Sequence, residues 1–309
     1  MSTLLYSHPI CIEHDPGGGH PECPDRLRSV MAGFEDSDFS SLERHEAPEI
    51  DLKEVEQVHE PFYIEQVFEN MPTEGRVYLD PDTGMSPASG EASKRAAGAV
   101  CDAIDKVVKG AADNAFCAVR PPGHHAESSR AMGFCLFNSI AIGAMHGRAR
   151  HGLERVAVID FDVHHGNGTQ HMFEHDPGLF YGSSHQWPAY PGTGAVDETG
   201  EFGNICNLQL SPGEGSRAFR EGYEKKVLPA LREFDPDLLL ISAGFDAHAR
   251  DPLAQINLET EDYDWVTGEL LAVADECCAG KVVSLLEGGY NLDALRESVQ
   301  AHVRVLMAD

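Results

Sequence analysis

Apolar residues fall into short runs separated by stretches with a three- to four-residue period. Thr3–Tyr6, Ala115–Val119, Arg155–Asp160, Leu179–Gly182, Ile205–Leu210, Leu238–Ser242 and Val282–Leu286 read as strands. Pro24 to Phe34, Asp51–His59, Glu60–Phe68, Ser89–Lys109, Asn138–Arg150, Gly168–Phe173, Ser216–Phe234, Thr260–Cys278 and Leu292–Met307 read as helices, with Gly110 capping the Ala-rich one. His8–Cys23, rich in Gly, Pro and His, and Arg76–Pro87 read as loops. Strands that alternate with helices predict an α/β three-layer sandwich, a mainly parallel central sheet flanked by helices. No linker, repeat or low-complexity run divides residues 1–309, so a single domain is expected. No Gly-x-Gly-x-x-Gly follows the first strand and no phosphate-loop motif occurs, which gives nucleotide binding little support.

Composition narrows the setting. No apolar stretch reaches the roughly 18 residues of a spanning helix. Met1–Pro9 lacks the basic-then-apolar order of a signal peptide, so a cytoplasmic location is expected. The eight cysteines form no Cys-x-x-Cys pair and read as reduced, mostly buried thiols. Asp plus Glu number 51 against 23 Lys plus Arg, a formal charge of −28, and only 7 of the 23 are lysine. Such a field repels nucleic acid. It fits either a halophilic surface, solvated at high salt, or steering of cationic substrates. Excess carboxylate with few lysines fits the former better.

Candidate chemistry sits just after four of the predicted strands. Arg120-Pro121-Pro122-Gly123-His124-His125, Asp160-Phe161-Asp162-Val163-His164-His165-Gly166, Gly244-Phe245-Asp246 and Glu287-Gly288-Gly289-Tyr290 each follow an apolar run. Ligands of α/β sheets bind beyond the carboxyl ends of strands. Asp162 and His164, two apart, leave one face of an extended chain, and Asp246 can complete a three-ligand set with an open position. The plainer alternative is that Asp160 and Asp162 cap the next turn and His164 is a satisfied loop residue. Adjacent His124 and His125 can serve one site in different protonation states, with Asp160 the candidate to orient one of them. Tyr290, aimed by two glycines, can donate to an oxyanion or be an ordinary packed phenol.

These motifs, with His20-Pro21-Glu22-x-Pro24-x-Arg26-Leu27, Gly133-Phe134-Cys135-x-Phe137-Asn138 and Tyr190-Pro191-Gly192-Thr193-Gly194, resemble the histone deacetylase superfamily, most closely its class II-like bacterial and archaeal members. They occur in family order from residue 20 to 292. The resemblance implies an arginase/deacetylase fold and one catalytic Zn2+ held by Asp162, His164 and Asp246. It assigns His125 as the base that activates water and then protonates the leaving amine, His124 with Asp160 as its electrostatic partner, and Asn167 as the support of the second His. Tyr290 would bind the scissile carbonyl oxygen. Gly133, Phe134, Tyr190, Leu253 and Gly289 would line the substrate tunnel. A structural K+ or Na+ would use Asp160, Asp162, His164, Ser183 and the carbonyl of Ser184.

The implied reaction is hydrolysis of an N-acetyl amide to acetate and a free amine, most directly acetyl-lysine in a protein, without nucleic acid or membrane partners. An acetylpolyamine amidohydrolase is the runner-up. Leu253 at one gate position and the lack of a long insertion speak against it, whereas Asp80, Asp82 and Glu127 lie in loops that can reach the rim. A non-catalytic acyl-lysine binder would have lost Tyr290 or a zinc ligand, and none is lost. An arginase-like ureohydrolase needs more Asp/His pairs than the one Asp-x-His set here.

Overall fold

The computed structural model describes residues 2–308. Eight strands form the central sheet: β1 (Thr3–Ser7), β2 (Glu43–Glu46), β5 (Asn114–Cys117), β6 (Val156–Asp160), β7 (Leu179–Gln186), β8 (Ile205–Leu210), β9 (Leu238–Ala243) and β10 (Val282–Leu286). Their order is β2-β1-β5-β10-β9-β6-β7-β8, and every neighbouring pair is parallel. The predicted mainly parallel sheet is thus present. The four central strands β5, β10, β9 and β6 are buried along their whole length. That is why their sequences are continuous apolar runs rather than alternating ones.

Helices flank this sheet. They are α1 (Ile10–Glu13), α2 (Pro24–Gly33), α3 (Leu52–Val55), α4 (Pro61–Glu69), α5 (Ser89–Val108), α6 (Ser139–His151), α7 (Asn167–Phe173), α8 (Ser216–Gly222), α9 (Leu228–Phe234), α10 (Thr260–Cys278) and α11 (Leu292–Met307). One group packs α5 against α6; another packs α11 against α10 and α2. Local sequence sets the ends. Asn138 Oδ1 accepts from the Ala141 N–H at the start of α6, and Gly152 ends that helix in the left-handed region. Glu259 and Asp262 form a capping box on α10.

The structure departs from the sequence reading in four places. The polar edge strand β2, Glu-Arg-His-Glu, carries no apolar pattern to betray it. Arg76–Pro87 contains a short antiparallel hairpin, β3 (Val77–Asp80) with β4 (Thr83–Met85), whose register shifts between Tyr78 and Asp80. The His8–Cys23 loop contains α1, whose carbonyls at Cys11 and His14 accept from buried Arg120. Ser216–Phe234 is one continuous path, but a π turn, Tyr223–Val227, separates α8 from α9. Pro229 has no N–H for the carbonyl four residues back, which disfavours a plain α-helix there. The eight cysteines are all free, and six are buried.

Candidate active site

Register brings the site together. Leu285 of β10 lies opposite both Cys117 of β5 and Ser242 of β9, and Asp160 of β6 lies opposite Ser242 on its other side. The four strands therefore end level, and the segments after them converge.

The loop after β6 is not extended. Asp160 Oδ1 accepts the N–H of Asp162 (3.0 Å), and Asp162 Oδ1 accepts that of His164 (2.9 Å). These are Asx turns, so the capping role and the clustering role are filled by the same carboxylates. Asp162, His164 and Asp246 come together with ligand atoms within 4.8 Å of one another. His164 Nδ1 lies 3.2 Å from Asp162 Oδ1 and 3.0 Å from Asp246 Oδ2. Backbone N–H groups occupy the outer oxygens: Gly288 donates to Asp162 Oδ2 and Val163 to Asp246 Oδ1, each at 2.8 Å. A Cβ on Gly288 would collide with both carboxylates, so only glycine lets this backbone cradle them.

The donor set fits a divalent ion. Two buried carboxylates share one point, and burial together with Asp162 raises Asp246 to about 7. Burial opposes charge on His164, but its bonds to Asp162 and Asp246 outweigh that and raise it to about 10. A divalent cation would take the place of that proton and neutralise the pair.

His124 and His125 follow β5, their rings tilted by 44° with centroids 4.0 Å apart. His124 Nδ1 bonds Asp160 Oδ2 at 2.9 Å. Burial disfavours its charge, yet Asp160 and Asp162 raise it to about 10. His125 goes the other way. Burial, then the charges of His124 and His164, hold it well below the ordinary imidazole value. Its Nδ1 meets Asn167 Oδ1 at 2.8 Å. Asn167 at the start of α7 donates its Nδ2 to Glu127 Oε1, and His171 one turn on binds the same carboxylate at 2.9 Å. The amide is thereby oriented with oxygen toward His125, which leaves Nε2 of the neutral ring as acceptor.

One pocket of 180 Å³ opens onto these groups, lined by Asp82, His125, Gly133, Phe134, His164, Tyr190, Leu253 and Tyr290. Gly133 (φ +57°) packs on His125 so closely that a Cβ would overlap the ring. Phe134, also at positive φ, is held by its N–H on Thr83 Oγ1 (3.2 Å) and by edge contacts with His20 and Tyr290. Tyr190 closes the other wall, 5.2 Å from His125 between ring centroids. Of the sequence-predicted lining residues only Gly289 is absent from this wall; its carbonyl accepts from Arg26 Nε at 2.6 Å. Ser183 and Ser184 lie on β7, where Ser183 is the cross-strand partner of Asp160.

Several supporting residues escaped the sequence reading. Glu287 accepts the N–H groups of Gly123 (2.7 Å) and His124 (3.3 Å), and burial lifts it to about 7. Asp251 Oδ2 accepts the N–H of Tyr290 at 2.7 Å. Tyr181 donates its hydroxyl to Asp160 Oδ2 at 2.9 Å. Glu22 binds both Arg26 and Arg120 in full burial, and Arg26 also reaches the Glu287 carbonyl at 2.5 Å and stacks on the Tyr290 ring. Of the three acids expected near the rim, Asp82 lines the pocket and Asp80 sits behind it, accepting its N–H. Glu127 is a correction: its carboxylate is spent on Asn167 and His171, away from the mouth.

The histone deacetylase domain model matches residues 20–306. The histone deacetylase-like amidohydrolase of Pseudomonas aeruginosa is 36% identical, over 91% of this chain and 75% of its own. The polyamine deacetylase HDAC10 of Mus musculus is 34% identical over 100% of this chain and 47% of its own. The crystal structure of the HDA15 HD domain superposes with a TM-score of 0.93 at 35% identity, covering 99% of this chain and 88% of that one.

Proposed function

The chain belongs to the histone deacetylase family, whose members include amidohydrolases, and from that premise we propose that it hydrolyses the acetyl amide of acetyl-lysine side chains in proteins. The observation that carries this is that His125, Tyr290 and His164 line one pocket, with His164 clustered against the Asp162 and Asp246 carboxylates. Asp162, His164 and Asp246 would hold Zn2+. When bound, the ion supplies a Lewis acid that acidifies water and polarises the acyl carbonyl.

The protein's own groups divide the remaining work. His125, kept neutral and fixed by Asn167, takes a proton from the attacking water and then gives it to the departing amine nitrogen. His124, charged against Asp160, opposes a second charge next to it and so keeps His125 a base. Burial, then Asp246, lifts Tyr290 far above its ordinary value, so it is a hydroxyl donor at neutral pH, available to the developing oxyanion. Phe134 and Tyr190 flank a linear chain and exclude water from it, with Gly133 and exposed Leu253 completing the passage. A structural K+ or Na+ would be held by Asp160, Asp162, His164, Ser183 and the carbonyl of Ser184, the last two on β7 beside Asp160. Reading the chain as one catalytic domain is supported by His124, His125, Asp162, His164, Asp246 and Tyr290 all following strands of the eight-stranded sheet.

One observation favours a second reading. Asp82 at the mouth, raised to about 6 by burial and by its contact with Asp80, is a carboxylate that accepts either a peptide N–H or the ammonium of an acetylated polyamine. Apolar Leu253 on the same rim favours the peptide. The test is acetate release from an acetyl-lysine peptide and from N-acetylputrescine at equal concentration. A higher kcat/KM for the peptide is expected. A preference for the polyamine overturns the protein-deacetylase assignment, and hydrolysis of neither rejects both readings.

A further inference from the structure

A second group of ligating side chains lies outside the pocket, among α3, α5 and α6. Asp105 of α5 faces two rings of α6: its Oδ1 is 2.8 Å from His146 Nε2 and 2.7 Å from His151 Nε2. Glu54 of α3 takes the other nitrogen of His146, Oε2 to Nδ1 at 2.6 Å. The Cys101 thiol lies within the same reach of His146 and Glu54.

Glu54, as a carboxylate, only accepts, so Nδ1 of His146 is turned to it while Nε2 faces Asp105. Nε2 of His151 points at the same Asp105 oxygen, and the two ring centroids are 6.0 Å apart. One divalent ion among these atoms would take a nitrogen from each ring and balance the charge of the two carboxylates. Lys109 binds the other Asp105 oxygen, at 3.4 Å, so Oδ1 faces the two rings alone. His164 meets its two carboxylates at 3.2 and 3.0 Å, so the two clusters share one pattern of imidazole nitrogen against carboxylate oxygen.

We propose that Asp105, His146 and His151 form a second metal site, for a borderline transition ion such as Zn2+, with Glu54 orienting His146 from behind. Two imidazoles and a carboxylate, with a thiol alongside, suit zinc rather than magnesium or calcium. A carboxylate on the far nitrogen of a ligating His is the usual supporting arrangement. Asp105 and Glu54 are 30% and 24% exposed, so an ion has a route in. The site would tie α3 to α5 and α6 without touching the catalytic pocket.

The test is zinc content per chain after dialysis against micromolar Zn2+, with folding checked by circular dichroism. Wild type is expected to hold two. His151→Ala, near the end of α6, and the near-isosteric Asp105→Asn are each expected to hold one. Glu54→Gln should keep the site with affinity reduced about 10–100-fold. In an Asp162→Ala/Asp246→Ala background one zinc should remain, and His151→Ala should remove it. No zinc in the folded Asp162→Ala/Asp246→Ala protein, or two in folded His151→Ala, overturns the proposal.

Discussion

At the scale of single residues, protonation is set by neighbours that sequence spacing does not reveal. His124 and His125 are adjacent and chemically identical, yet Asp160 raises one while burial and two nearby cations lower the other. Reading them as a pair with opposite states was possible because Asp160 follows a strand. Glu127 was not legible in its true role, since its link to His125 runs through Asn167 and depends on where α7 starts. The spacing of Asn167 and His171, one turn apart on that helix, is the signal that points to a shared carboxylate. The metal cluster makes a plain prediction. Asp246→Ala removes one of the three proposed ligands and leaves Val163 N–H without its acceptor. Zinc content per chain should fall by one and acetate release should be lost; zinc content equal to wild type would mean the ligand set is wrong.

At the scale of elements, the strands were legible because parallel buried strands are apolar end to end, and the long helices because their periodicity is strong. The segment His8–Cys23 was not, because what organises it is polar and distant. Glu22 holds Arg26 and Arg120 with all three side chains fully buried, and Arg26 braces the turn that carries Tyr290. Removing one partner of a buried pair strands its countercharge. Glu22→Ala should lower unfolding free energy by about 3–5 kcal/mol, measured by urea denaturation. A second prediction concerns the packing of α11 on β10. His302 bridges Thr267 Oγ1 and Ser284 Oγ among Phe116, Phe161 and Phe245. Burial lowers it from 6.5 to about 3. Its folded value lies below its unfolded one, so the stability it carries is full above pH 6.5 and declines as pH falls toward 3. Wild type should therefore lose stability relative to His302→Gln by about 1.4 kcal/mol per pH unit between pH 6 and 4. Parallel pH profiles for the two proteins would refute a neutral buried His302.

At the scale of the molecule, two features dominate: four strands that deliver their polar ends to one edge, and a formal charge of −28. The first was readable because each motif follows an apolar run. The strand order was not, since β10 and β9 enter between β5 and β6 only late in the chain. The charge acts on the whole surface. Carboxylates in such excess repel one another at low ionic strength, and at 1 M salt the screening length is about 3 Å. Raising KCl from 0.1 to 2 M should increase Tm by about 5 °C, on the order of 3 kcal/mol for a chain of this size. A Tm that is flat while KM for a cationic substrate rises with salt would assign the charge to substrate steering instead. No helix among the described residues is long and apolar enough to cross a membrane. The proposed hydrolysis needs Tyr290 and His125, which line the same pocket, to act together on the amide. Its most direct test is acetate release from an acetyl-lysine peptide by zinc-loaded wild type and Tyr290→Phe, with zinc content measured on both. The predicted result is turnover by wild type, a drop of at least about 10²-fold in the variant, and equal zinc in the two; a Tyr290→Phe protein as active as wild type would contradict it.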